Sequence, residues 1–195
     1  MGHVKAAREA VSFLGLDKLL LIPANTPPHK ELPDNAPSAQ ERLEMTELAM
    51  AGVEKAEVSD IELSRGGRSY TVDTLRLLRE RYPNDELFLL VGTDMLLSFE
   101  TWRSFEEVLK MCVLAVFARR GGEEETVKRA AEELTEKYGA ETVFVPFGAL
   151  EISSTDIREL LPQRRYDIQN GGHVYDKMGN TGKRLDSSGL HDPGA

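Results

Sequence analysis

Apolar residues at Val4, Ala7, Val11 and Leu14 recur at helical spacing, with Lys5, Arg8, Glu9 and Ser12 on the other side and Gly15 as a stop. The chain therefore opens with an amphipathic helix. Lys18–Pro23 is a short, nearly continuous apolar run, the pattern of a strand covered on both faces. The proline-rich stretch Asn25–Pro37 has to be loop. Ser38 then caps a helix reaching about Val53, with Glu41 placed for a capping box, and Ala56–Leu63 alternates as a strand. The two periods keep alternating: helix over Thr71–Tyr82, buried strand over Glu86–Val91, short helix over Phe105–Leu109, strand over Cys112–Phe117, helix over Glu123–Tyr138 and strand over Thr142–Val145. Such an order predicts an α/β fold with a mostly parallel sheet and helices on both faces, whose ligands bind beyond the carboxyl ends of the strands. The loops at those ends carry Pro27–Lys30, Gly92–Asp94, Arg119 and Ser153–Arg158.

From residue 166 to the end the periodicity stops. Asp167–Ala195 holds six of the 16 glycines and no recurrent apolar spacing, so it buries too little surface to offset the entropy of ordering. The expectation is one domain over residues 2–165 followed by a disordered tail, 166–195. Asn170-Gly171-Gly172-His173 contains a Gly-His pair but follows no strand, and carries little weight.

Composition narrows the function classes. With 24 Lys+Arg against 33 Asp+Glu the net charge is −9, which gives no electrostatic footprint for duplex nucleic acid or an anionic membrane. The longest apolar run, Leu19–Ile22, is too short to span a bilayer. The first residues lack the basic and apolar regions of a signal peptide, and Ala6 stands where a myristoylation signal needs Ser or Thr. The single cysteine, Cys112, lies in an apolar run where a small buried thiol is the ordinary occupant. Together these read as a soluble cytoplasmic protein.

Ile152-Ser153-Ser154-Thr155-Asp156-Ile157-Arg158 follows the last apolar run and opens a short amphipathic segment. Ser and Thr hydroxyls at a helix start, with unpaired N–H groups, the positive end of the macrodipole and an Arg one turn on, suit a phosphate. A plain N-cap with Asp156 closing on Ser153 is the alternative. His3 also stands at the start of a helix, where a solvated or capping histidine is the alternative to a phosphate donor.

Gly2-His3 and the Ile152–Arg158 motif bracket Pro27-Pro28-His29-Lys30, Glu57–Leu63, Ser69–Thr74, Val91-Gly92-Thr93-Asp94 and Thr101-Trp102. In this order they resemble bacterial nicotinate mononucleotide adenylyltransferases of the nucleotidylyltransferase superfamily, over residues 2–165. The resemblance implies a Rossmann-like nucleotidyltransferase fold and adenylyl transfer from ATP to nicotinate mononucleotide, a step of NAD biosynthesis. It also implies a strand and a glycine-rich turn ahead of Gly2, so the sequence as written is expected to lack the first central strand and part of the active site, with little stability or activity. A non-catalytic fragment that at most binds nucleotide is the alternative, and another adenylyl- or cytidylyltransferase of the superfamily is a further one.

On this resemblance His3 and Arg158 act on the reacting phosphates. Ser153, Ser154 and Thr155 hold the triphosphate, with His29 and Lys30 beside it unless they are ordinary solvated loop. Gly92 and Asp94 approach the nucleoside unless they only end a strand. Arg119 matches an arginine near the adenosine, with Arg120 in place of the usual proline. Trp102 stacks on the pyridine ring, while backbone N–H groups near Thr71 and Arg103 receive its carboxylate; a core tryptophan is the competing reading. Mg²⁺ comes with ATP, since the sequence offers no carboxylate cluster for an all-protein cage. Protein partners are not implied.

Overall fold

The computed structural model describes residues 2–28, 36–119, 124–147, 165–167 and 173–175. The chain divides into two units, Met1–Ala149 and Leu150–Ala195. In the first, α1 (Gly2–Leu14) leads into β1 (Leu19–Leu21), then α2 (Ala39–Met50), β2 (Ala56–Val58), α3 (Ile61–Arg65) and α4 (Thr71–Arg81). They are followed by β3 (Phe88–Gly92), α5 (Thr93–Leu97), a 3-10 turn at Phe99–Thr101, α6 (Phe105–Met111), β4 (Val113–Arg119), α7 (Glu124–Tyr138) and β5 (Thr142–Phe147).

All strand pairs of this unit are parallel, β1 with β2 and β3 with β4 with β5. The strands form a two-stranded and a three-stranded sheet, and no described strand pairs with the remaining edge of β1 or of β3. The two sheets nevertheless share their faces. Side chains alternate along a strand, and Leu20 and Ile22 join Leu89, Val91, Leu114 and Val116 in the larger core. Leu19, Leu21 and Leu90 meet Ala7, Met50 and Val53 in the smaller one. A single parallel layer is thus divided between β1 and β3.

The larger core gathers Val72, Leu75 and Leu78 of α4, Val108 and Leu109 of α6, Val127, Ala131 and Leu134 of α7, and Phe99. Each fully buried large side chain there contributes about 1.5–3 kcal/mol. On the opposite face α1 lies against β5 and buries Ala7 and Ala10. The Ser38 cap forms as the spacing predicts: Ser38 Oγ accepts from Glu41 N at 3.2 Å and Ser38 N donates to Glu41 Oε2 at 2.7 Å.

The period-two reading of Ala56–Leu63 is corrected. Only Ala56–Val58 is strand, and Ile61–Arg65 is helix. Asp60 is a helix-starting residue, and Ser64 donates to its carboxylate at 2.6 Å. At the other end, positive φ at Gly66 and Gly67 stops the helix. The helix after Ser38 ends at Met50 rather than Val53, and α5 had no counterpart in the sequence pattern, because β3 runs directly into it.

In the second unit β6 (Arg165–Asp167) pairs antiparallel with β7 (His173–Tyr175), placing Tyr166 opposite Val174. The 165/166 boundary read from the sequence falls within β6. The rest of the segment read as tail lies outside the described residues.

Candidate active site

Beyond the carboxyl end of β1 the chain is fastened to the turn that precedes α4. Asn25 N donates to Ser69 Oγ at 2.8 Å, Asn25 Nδ2 to the Gly67 carbonyl at 3.0 Å, and Ser69 N to the Thr26 carbonyl at 2.9 Å. Ser69 is buried, so its hydroxyl needs these partners. Arg42 of α2 secures the loop from the other side, donating to the Asn25 carbonyl at 3.0 Å and the Pro37 carbonyl at 2.7 Å. The positive φ of Gly66 and Gly67 turns the chain between α3 and this anchored segment.

Thr71 is the first residue of α4, and Tyr70 precedes it without a side-chain cap. The Tyr70 carbonyl takes the N–H of Asp73 at 3.1 Å and of Thr74 at 3.3 Å. The N–H groups of Thr71 and Val72 have no intrahelical acceptor by position, and the helix dipole places about half a positive charge beside them.

Trp102 reaches the same corner from β3 through α5 and the 3-10 turn. One side of its ring stacks on Phe99, with centroids 4.8 Å apart and planes at 28°. Phe99 is fully buried whereas Trp102 is half-buried, so the indole is backed by the core without being enclosed in it. The next residue, Arg103, sets its guanidinium 4.5 Å over the Tyr70 ring, an exposed cation–π contact of about 0.5–1 kcal/mol. Ser104, at φ 52°, carries the bend into α6. The structure therefore brings Thr71, Trp102 and Arg103 together, with Tyr70 joining them.

The other sequence-derived site residues divide into those the structure places and those it does not describe. Gly92 ends β3, and a Cβ built on it meets nothing within 4 Å. Its φ is −84°, so the backbone does not require glycine; what glycine leaves there is open space. Asp94 is exposed in the first turn of α5, and between them the buried Thr93 hydroxyl has no partner among the described residues. His3 is exposed in the first turn of α1. Arg119 is the last residue of β4, in register with Phe147. His29, Lys30, Ser153, Ser154, Thr155 and Arg158 lie outside the described residues.

Several polar residues around this corner had no role in the sequence reading: Asn25, Arg42, Glu62, Arg65, Ser69 and Thr74. Glu62, Ser69 and Thr74 stood inside matched motifs, but only burial shows what they do. Glu62 and Thr74 are both buried, and Thr74 Oγ1 donates to Glu62 Oε1 at 2.6 Å.

Cys112 is buried as expected, and burial pushes its thiol up to about 12 against the opposing charge of Arg79. Its Sγ donates to the Val108 carbonyl at 3.3 Å, so it serves packing rather than chemistry. Among the described residues no three His, Cys, Asp or Glu side chains converge as a metal site, and no helix is long and apolar enough to cross a membrane.

The sequence profile of the cytidylyltransferase-like family matches residues 1–160. A protein of Shouchella clausii named "probable nicotinate-nucleotide adenylyltransferase" is 37% identical over 161 residues, covering 83% of this chain and 77% of the relative. One of the same name from Gloeobacter violaceus is 42% identical over 166 residues, covering 84% of this chain and 79% of its own length. Among solved structures, the Plasmodium falciparum nicotinic acid mononucleotide adenylyltransferase complexed with NaAD superposes with a TM-score of 0.57 at 14% identity, over 78% of this chain and 70% of that one. At that identity the likeness speaks for the fold.

Proposed function

The chain belongs to the cytidylyltransferase-like family, and from that premise we propose that it transfers the adenylyl group of ATP to nicotinate mononucleotide, giving nicotinate adenine dinucleotide and pyrophosphate. The observation that carries this reading is the corner where Trp102, Arg103 and Tyr70 meet the first turn of α4. A half-buried indole backed by Phe99 offers a flat apolar face to a pyridine ring. The N–H groups of Thr71 and Val72, with the Arg103 backbone beyond, offer donors to its carboxylate.

In the reaction a 5′-phosphate oxygen of the mononucleotide attacks the α-phosphorus of ATP; the new P–O bond forms as the α–β bridge breaks, and pyrophosphate leaves. The nucleophile is already an anion, so the protein's task is to position both nucleotides and neutralise charge. In this scheme His3 donates to the α-phosphate, backed by the dipole of α1. Ser153, Ser154, Thr155 and Arg158 hold the triphosphate with His29 and Lys30 beside it. Gly92 and Asp94 receive the nucleoside, the open space at Gly92 allowing close approach, and Arg119 lies toward the adenosine. Mg²⁺ fits as a companion of ATP: with no three-ligand cage among the described residues, the phosphate oxygens would hold it, and it would supply charge neutralisation. The divided parallel layer favours a second reading, in which the 195-residue chain binds nucleotide without turnover.

The test is pyrophosphate release from ATP with nicotinate mononucleotide or its amide as acceptor. Backbone donors reward a carboxylate and leave an amide's own donors poorly paired, so the acid should be preferred. Trp102→Ala should raise the acceptor KM, and Arg158→Ala should weaken ATP use with the melting temperature nearly unchanged. Equal use of acid and amide, or unchanged kinetics in Trp102→Ala, contradicts the reading. Nucleotide binding without pyrophosphate release supports the second one.

A further inference from the structure

Glu62 and Thr74 place polar atoms in a largely apolar interior, at 8% and 5% exposure. The Thr74 hydroxyl has one proton, and the 2.6 Å bond to Glu62 Oε1 takes it. The hydroxyl oxygen in turn accepts from Arg65 Nη1 at 3.0 Å. Its 3.4 Å approach to the Tyr70 carbonyl is then a contact without a proton to share. One hydroxyl thus relays between a buried carboxylate and a guanidinium, tying both ends of α3 to the first turn of α4. Arg65 Nη2 is itself buried without a partner among the described residues, so the guanidinium gains little elsewhere from being there.

The segment between these helices is held from the opposite side as well, where Asn25 and Thr26 bond to Ser69 and Gly67. Arg68–Tyr70 is pinned on both flanks, and the N–H groups of Thr71 and Val72 take their position from the pins. We infer that Glu62, Arg65 and Thr74 are positioning residues for the pyridine carboxylate. They fix the first turn of α4 where its N–H groups meet that acceptor, and so set both the affinity for the acid nucleotide and its preference over the amide without touching either. This rests on the functional reading above.

Trp102 is the only tryptophan, so its fluorescence reports binding at the corner directly. The experiment titrates the 195-residue chain with nicotinate mononucleotide and with its amide, following that signal, and measures ATP binding by calorimetry. It does so in wild type, Thr74→Val, which keeps the shape and loses the hydroxyl, and Thr74→Ser, which keeps the hydroxyl. A buried carboxylate deprived of its donor costs enough to shift the turn, so Thr74→Val should weaken acid binding about tenfold and shrink the acid-over-amide ratio. ATP affinity should stay within about twofold, and Thr74→Ser should restore the acid to within about twofold of wild type. If Thr74→Val melts below the assay temperature, Arg65→Met replaces it, keeping the Glu62–Thr74 bond and losing about threefold for the acid alone. Equal weakening of acid, amide and ATP, no weakening, or no recovery in Thr74→Ser overturns the inference while wild-type binding stands. A folded wild type whose Trp102 signal ignores the acid nucleotide overturns the functional reading, and the inference with it.

Discussion

The two parts of the divided layer are built from similar strands but end in different states. In the three-stranded part β4 is flanked by β3 and β5, and Leu114, Ala115 and Val116 are fully buried. In the two-stranded part both strands are short, each has one unpaired edge among the described strands, and of β1 only Leu19 is buried, at 4% exposure. Sequence hydrophobicity does not separate them, since Leu19-Leu20-Leu21 is as apolar as Val113-Leu114-Ala115. What separates them is neighbours: a strand buries its side chains only when strands beside it and helices above and below close the space.

Truncating a side chain in the three-stranded core should have the largest effect. Leu114→Ala should cost about 2–5 kcal/mol, whereas Leu20→Ala, at a half-buried position, should cost about 1–2 kcal/mol. Urea melts of the two variants check this, and equal losses would mean the two parts share one equally closed core.

The same contrast marks what the sequence could reveal. The helices over Thr71–Arg81 and Glu124–Tyr138 and the strands around Val91 and Val116 were legible because each has a sustained period and one clear covering partner. The Ser38 cap was legible because its chemistry is local. Ile61–Arg65 was not, because Ile61 and Leu63 alternate as a strand would, while the helix rests on Asp60, Gly66 and the buried Glu62–Thr74 bond. Of the candidate site residues, Thr71, Trp102 and Arg103 were singled out by motif, and whether they bind is the proposal tested below. The clamp that brings them together, Asn25 to Ser69 and Arg103 over Tyr70, joins residues far apart in sequence that carry no periodicity.

Cys112 sharpens the contrast kinetically. With the thiol raised to about 12 by burial, a thiol reagent near neutral pH should react only as fast as the α6–β4 region opens, so its rate should fall in step with native-state amide exchange of Val113–Val116. Rapid reaction of the folded protein would contradict so tight a packing.

Smaller effects probe the two-stranded part. Ser38→Ala removes the acceptor for Glu41 N and should cost about 1 kcal/mol, read as a lower melting temperature. Hydrogen bonds hold three carboxylates below their ordinary 4.5: Glu41 by the Ser38 backbone, Glu57 by Lys18 and Glu107 by Arg76. A depressed carboxylate contributes stability that is fully present above its unfolded value and lost as pH falls through its folded one. Mild acid should therefore loosen the protein from 4.5 downward. Glu41 and Glu57 lie on α2 and β2, so the amide exchange of those elements should rise before that of β4. Lys18, raised by the Glu57 bond, acts in the opposite sense: its contribution is fully present below 10.5 and is lost as pH rises through the higher folded value.

The pyridine nucleotide is proposed to bind at the corner of Thr71, Trp102 and Arg103, and an amide-exchange footprint locates that binding. Exchange of the 195-residue chain is followed alone, with nicotinate mononucleotide and with ATP. The expected result is slower exchange at Ser69–Asp73 and Phe99–Phe105 with the mononucleotide, and no comparable change there with ATP. Protection by the mononucleotide elsewhere, with these two segments exchanging as in the free protein, would contradict the assignment of the site.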